Sequence, residues 1–420
     1  MKTISKILIF VSMSLALSGC DDFLTKEPET NLSPNTFFSS EAELELWTNR
    51  FYSLFAGPDT DAIQVSDIQI AKNLSSVQQG TRSPATENWG TSAWAYLRYI
   101  NYYLERSGNC PDETIRQRYD GVAYFFRALF YFEKVRKYGD IPYYDFVIPS
   151  NDWASLKRPR DSRGFVMKKV MEDLDRAITD LPDNWPSDAL YRLSKNAARA
   201  MKARAALYEG TFRKYHSREP SSDKPWQNDV YNADNKFLRE AAAAAKEIMD
   251  KGPFSLVTGD VKTAYRSLFT SAGLLTQEVI FGREYSKELS AFHETSWYYY
   301  SPTYGTKIAM TKKFMNTYLT TKGTPFTDID GYKTVDFIHE FDGRDARMAQ
   351  TVISPSYQMK ISGRTVPYSP NWKVTRTGYH PIKWSIDDDA DNVLSKAASW
   401  NSLPIIRYAE VLLNYAEAKA

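Results

Sequence analysis

The chain has 420 residues, a formal net charge of +2 and no long basic run, so it lacks the electrostatic footprint of a nucleic-acid partner. Its two cysteines, Cys20 and Cys110, are too few for a disulfide scaffold, and stability must come from an apolar core, for which about 400 residues are ample. The uncommon feature is aromatic content: 28 Tyr, 22 Phe and 10 Trp.

At the N-terminus, Lys2 and Lys6 precede an apolar run from Ile7 to Leu17, broken only by Ser12 and Ser14. A helix of that length rises about 16 Å, short of the roughly 30 Å hydrocarbon core. Residues 1–19 therefore read as a cleavable signal peptide. Leu17-Ser18-Gly19-Cys20 has the pattern of a bacterial lipobox. There the thiol takes a diacylglycerol, the chain is cut before it, and the new amine is acylated, commonly with palmitate. Two or more acyl chains make a stable anchor, so Cys20 is the predicted lipid anchor and residues 20–39, polar and proline-containing, its tether.

Ser40 and Glu43 form a capping box that opens a helix, ended by Gly57-Pro58. The same stop recurs at Gly139…Pro142 and Gly252-Pro253, with glycine read as the left-handed residue just past the helix. Ile115, Tyr119, Val122, Phe126 and Leu129 alternate steps of four and three, as do Val166, Val170, Leu174 and Ile178. Segment 196–215 is rich in alanine, which allows close helix packing. The pattern predicts helical hairpins pairing 40–56 with 91–107, 113–138 with 162–181, and 194–215 with 236–251. Serial hairpins predict a mainly α fold: a tetratricopeptide-like solenoid over 40–254. Arg199 with Glu209 and Arg407 with Glu417 read as a partial repeat echo. Residues 255–420 read as an irregular, strand-containing lobe packed on the solenoid, with short strands at Glu278–Gly282 and Met348–Ile353, returning to helix over 403–420. Ile406, Leu412, Leu413 and Tyr415 on that last helix predict a missing partner helix, and hence a C-terminally truncated chain.

No enzyme motif survives inspection. His293-Glu294 and His339-Glu340 lack the second histidine of a zinc motif. Asp328, Asp330 and Gly331 fail the calcium-loop spacing, and the Asp387–Asp391 cluster reads as a solvated acidic loop. No P-loop, GxSxG or GxGxxG occurs, and nothing singles out a glycosidase carboxylate pair. The expectation is a chain with no enzymatic activity, cofactor or metal. Binding residues are easier to nominate. Sugar rings pack their C–H faces on flat aromatics, and Tyr and Trp add a polar tip. Trp297, Tyr298, Tyr299 and Tyr300, read as strand or loop, point to different sides in succession; with Tyr304 they are the first candidates. The insertion 58–90 is long for a connecting loop and supplies Asp67, Asn73, Gln78, Gln79, Arg82 and Trp89. Tyr and Phe within 94–103 and 119–138 lie on helical stripes and read as core.

The stretches CDDFLTKEPETNLSPNTFFSSEAELE, RQRYDGVAYFFRALFYFEKVRKYGDIPYY, RPRDSRGFVMKKVMEDLDRAITDLP, FDGRDARMAQTVISP and PIIRYAEVLLNYAEAKA together resemble the SusD/RagB family of outer-membrane nutrient-binding lipoproteins. The resemblance implies four tetratricopeptide-like helix pairs carrying a variable lobe, the fourth pair lacking its second helix here. It implies a lipid-anchored protein on the outer face of the cell outer membrane that binds oligosaccharides or polysaccharides and hands them to a SusC-like TonB-dependent transporter. Asp21-Asp22 resembles the acidic surface-export signal of such lipoproteins. The alternatives are peptide capture, as in the RagB branch, a surface glycoside hydrolase, or a purely structural adaptor.

Overall fold

The computed structural model describes residues 37–55, 66–83, 89–185, 191–216, 218–219, 226, 235–388 and 398–420. The signal segment, Cys20, the tether and the Gly57-Pro58 stop lie outside these residues.

Six helices build the scaffold: α1 (Glu41–Asn49), α2 (Ala95–Arg106), α3 (Glu113–Tyr138), α4 (Arg163–Asp180), α5 (Lys195–Tyr215) and α6 (Lys236–Lys251). Their starts follow from short polar side chains that accept otherwise orphaned backbone N–H groups. The Glu43 carboxylate accepts from the N–H groups of Ser39 (2.7 Å) and Ser40 (3.3 Å). Asp112 caps α3, Ser162 caps α4 and Ser194 caps α5, each accepting from the N–H three residues on. At the far end of α3, Gly139 takes φ +73°, as its stop role requires. Gly252 is different: its φ is −78°, and a Cβ there would lie 2.6 Å from the Ile248 carbonyl oxygen and 2.9 Å from the Phe254 ring. Close approach, not a left-handed turn, is what demands glycine there.

Packing follows the predicted pairs. α3 lies along α4 and α5 along α6, with α4 against α5 between them. α1 and α2 meet through Trp47, whose Nε1 donates to the Tyr99 carbonyl at 3.0 Å and whose ring stacks on Tyr102. Buried Ala197, Ala198, Ala200, Ala203, Ala205 and Ala206 let the helices around α5 approach closely. Within this apolar interior sit two charge clusters that periodicity does not reveal. Arg127 grips Asp173 with two 2.7 Å bonds, and Glu209 accepts from Arg163 and Arg213, each at 2.8 Å. Glu209 thus pairs with Arg163 and Arg213, and Arg407 of the lobe pairs with Glu278 at 2.6 Å.

The lobe carries α7 (Ala264–Thr270), α8 (Thr295–Tyr300) and α9 (Arg347–Thr351). Three two-stranded antiparallel ladders order it: β1 (Gln69–Ile70) with β3 (Ala309–Met310), β2 (Val279–Arg283) with β6 (Leu403–Arg407), and β4 (Gln358–Ile361) with β5 (Arg364–Pro367). Two expectations are corrected. Met348–Ile353 is mostly helix α9, because Asp345 caps the turn by accepting from the Arg347 N–H at 2.9 Å. Leu403–Arg407 is strand, because Pro404 and the β-branched Ile405 and Ile406 suit a ladder against β2 better than a helix interior. Phe281 of that ladder packs on Phe55 and Tyr52 of the scaffold, joining the two parts through one continuous apolar cluster.

Helix α10 (Tyr408–Lys419) then closes the row against α5 and α6. Arg204 holds it with bonds of 2.6 and 2.7 Å to Glu410. Of the apolar residues expected to lack a partner, Ile406 is buried in β6 and Tyr415 packs on the scaffold cluster, while Leu413 is exposed.

Candidate functional site

The β1–β3 ladder brings the two sequence-nominated regions together. Ile70 pairs with Ala309, and the Lys72 N–H donates to the Thr306 carbonyl at 2.6 Å. Ala71 joins the lobe cluster that contains Tyr299, Tyr300 and Ile308. The described part of the insertion is thus stitched to the lobe beside Tyr304. Asp67 spends its carboxylate on Lys313 at 2.6 Å, and Asn73 is exposed just beyond the ladder. Gln78 is a spacer: its amide donates to the carbonyls of Ser66 (3.0 Å) and Gln69 (2.6 Å), shaping the loop from within.

The aromatic run is a short helix rather than strand or loop, and a helix sorts it by face. Tyr299 and Tyr300 are buried in the lobe core, where the Tyr300 hydroxyl bonds Tyr357 at 3.0 Å and its ring stacks on His380. They are packing residues and present no surface to a ligand. Trp297 and Tyr298 are half-buried on the other face. Trp297 stacks on Tyr304 with centroids 5.6 Å apart and planes 18° from parallel, and Tyr304 is 70% exposed. The turn that lays Tyr304 back is fixed by Ser301. Its hydroxyl accepts the Tyr304 N–H at 3.1 Å and its carbonyl accepts the Gly305 N–H at 3.0 Å. A Cβ on Gly305 would collide with the Ser301 carbonyl and lie 2.7 Å from that of Tyr298.

Trp89 lies elsewhere, at the mouth of a cavity of about 680 Å³ in the scaffold, with Trp94, Arg98, Tyr99, Tyr144 and Phe146 on its walls. Trp89 meets Trp94 and Tyr138 edge to face, and Arg82 donates to the neighbouring Lys137 carbonyl. Lys134 sits within 6 Å of four ring centroids, those of Trp89 (5.9 Å), Trp94 (5.3 Å), Phe130 (5.4 Å) and Tyr138 (5.5 Å). Burial, helped by Lys137, pulls its ammonium down to about 8. Asn101 holds the far wall, its amide donating to the carbonyls of Tyr144 and Phe146 at 3.0 Å each.

Two family models match in succession. Residues 22–207 match one described as starch-binding, associating with the outer membrane, and residues 277–420 match the SusD family model. The chain belongs to the SusD/RagB family. Among curated SusD/RagB relatives it is 28% identical over 226 residues to SusD-like protein P2 of Formosa agariphila, covering 49% of this chain and 44% of that protein. It is 23% identical over 300 residues to SusD-like protein P25 of the same organism, covering 63% and 56%. The chain thus spans about half the length of these relatives. A SusD-like protein from Bacteroides fragilis superposes with TM-score 0.72 at 24% identity, over 94% of this chain and 78% of that one. A SusD-like carbohydrate-binding protein from the same species gives 0.70 at 21%, over 91% and 74%. A laminarin-binding SusD-like protein gives 0.56 at 17%, over 90% and 79%.

For this SusD/RagB chain, sequence reasoning assigned residues 94–103 to the core, yet Trp94 and Tyr99 line the cavity. A signal was present in Trp89-Gly90…Trp94, two indoles flanking a helix start, which a stripe count does not weigh. No cluster of metal-ligating side chains occurs among the described residues. Asp387 and Asp388 are neutralised by Arg266 (2.6 Å) and Lys360 (2.8 Å), and Asp391 lies outside the described residues. His380 is buried, and neither ring nitrogen meets a hydrogen-bonding group among the described residues.

Proposed function

We propose that this protein is a non-catalytic binder of neutral glycans, tethered to the outer membrane through acylated Cys20 and working as the capture subunit of a SusC-like TonB-dependent transporter. The observation that carries the reading is the Trp297–Tyr304 stack: a broad ring face held open to solvent by a fixed turn, beside the hydrogen-bonding insertion around Asp67 and Asn73. A pyranose lays its C–H face on such a surface while its hydroxyls reach polar neighbours. The cavity of Trp89, Trp94 and Tyr99, with Arg98 on its wall, forms a second aromatic surface of a size suited to a small ligand. The laminarin-binding and carbohydrate-binding relatives support this ligand class. On this reading, residues 40–254 serve as scaffold and transporter-facing frame, and 255–420 as the lobe that presents the ligand.

Isothermal titration with laminarin-derived, malto- and xylogluco-oligosaccharides tests the binding step. Saturable heat that is reduced in Trp297→Ala/Tyr304→Ala is expected. Binding to extended peptides with silence across all glycans would instead favour the peptide-capture reading. Mass spectrometry of the processed N-terminus tests the anchor, and co-purification with the membrane transporter tests the partnership.

A further inference from the structure

The lobe holds a second cleft, of about 470 Å³, that shares no lining residue with the surfaces above. Its walls include Phe337, Ile338, Pro370, Trp372, Thr375 and Gly378. Trp372 is 73% exposed. A large indole in that position would normally gain from burial, at about 25 cal/mol per Å², so its display asks for a reason. It is also held in place. The N–H groups of Val374 and Thr375 donate to the Asn371 carbonyl at 2.8 and 3.0 Å, and that of Lys373 donates to the Asn371 side-chain oxygen at 2.9 Å. Val374 and Thr375 are buried and root the turn. The indole therefore stands on a fixed platform.

The chemistry of the walls narrows the ligand. None of the lining side chains is charged, which disfavours an ionic ligand, whose desolvation would go uncompensated. Thr375 is buried, and its hydroxyl meets no hydrogen-bonding group among the described residues, while the Thr377 hydroxyl is committed to the Met310 carbonyl at 2.7 Å. An unsatisfied buried hydroxyl costs about 1–3 kcal/mol, and a ligand hydroxyl that reached it would recover part of that. Gly378, at φ +86°, leaves open space where a side chain would stand.

We propose that this cleft is a second glycan subsite, in which one neutral sugar ring stacks on Trp372 and a ring hydroxyl bonds Thr375. The choice of sugar rests on the glycan reading above, and the site is independent of Trp297 and Trp89. Two subsites on one polymer convert the second contact into an intramolecular one and raise avidity for long chains over short ones.

The test is ¹⁹F NMR of the protein labelled with 5-fluorotryptophan, with resonances assigned through Trp→Phe variants, titrated with laminarihexaose, maltohexaose and xylogluco-oligosaccharides. A saturable shift of the Trp372 resonance that persists in Trp297→Ala and Trp89→Ala is expected, with its midpoint weakened about tenfold in Thr375→Val. Shifts at Trp297 or Trp89 with Trp372 unmoved by every sugar would overturn this subsite and leave the first reading standing. No shift at any tryptophan would overturn both. Movement of Trp372 only with a proline-rich peptide would overturn the sugar assignment, and an unchanged midpoint in Thr375→Val would remove the hydroxyl bond and the cleft as described.

Discussion

Asp120 of α3 lies beside Tyr103, with Arg116 at 3.8 Å, and burial pushes its carboxyl from 3.8 up to about 6. A group whose folded pKa is raised favours the fold while protonated, so this contribution is lost as pH rises through 4 to 6. A tenfold change in proton affinity is worth about 1.4 kcal/mol. Asp120→Asn should therefore add about 3 kcal/mol at pH 7, with no gain below about pH 4, read as urea midpoints at the two pH values. Glu209 behaves in the opposite sense. It is fully buried between Arg163 and Arg213, and Glu209→Gln leaves two cations without their carboxylate. A loss of about 3–5 kcal/mol is expected, visible in the denaturant midpoint at neutral pH. The pairing of Glu209 with Arg163 was not legible in the sequence, because it joins residues 46 apart, and helical periodicity carries no information about such partners.

At the level of elements, what could be read was local. The capping box of Ser40 and Glu43 and the apolar stripes of the later helices depend only on near neighbours, and those helices stand where they were expected. Elements decided by distant partners were misread. The strand Leu403–Arg407 needs Val279–Arg283 to complete its ladder, and Tyr299–Tyr300 turn inward because Ala71, Ile308 and His380 are there to receive them. The binding candidates were half legible for the same reason: aromatic clustering marks Trp297 and Tyr304, but only the fold separates the displayed rings from the packed ones. The turn after α8 offers a direct test. Gly305→Ala should push the Ser301 carbonyl aside and unstack Tyr304 from Trp297, lowering oligosaccharide affinity about tenfold while far-UV circular dichroism stays unchanged. Equal affinity for the variant and the parent protein would remove the stack from the binding surface.

Across the whole molecule, acid should act first on the lobe. Burial pulls His293 down to about 4 and His380 to about 3, from an ordinary 6.5. Both stay neutral in the fold while the unfolded chain takes up protons below about 6.5, so their share of stability falls as pH drops from 6.5 toward 4. Each contributes a slope of up to about 1.4 kcal/mol per pH unit. His380→Leu, which deletes two ring nitrogens that meet no hydrogen-bonding group among the described residues, should flatten the curve by one proton's worth, measured by urea titration between pH 7 and 4.5. The pairing of Val279 with Arg407 has a different kind of consequence. A ladder that reaches across so much intervening chain cannot form until its second strand is available, and the entropy of closing that span weighs against early assembly. The helical rows can condense as they emerge, each on its predecessor. The lobe must wait for β6 to reach β2, so pulse-labelling hydrogen exchange during refolding should find α3 to α5 protected well before β2.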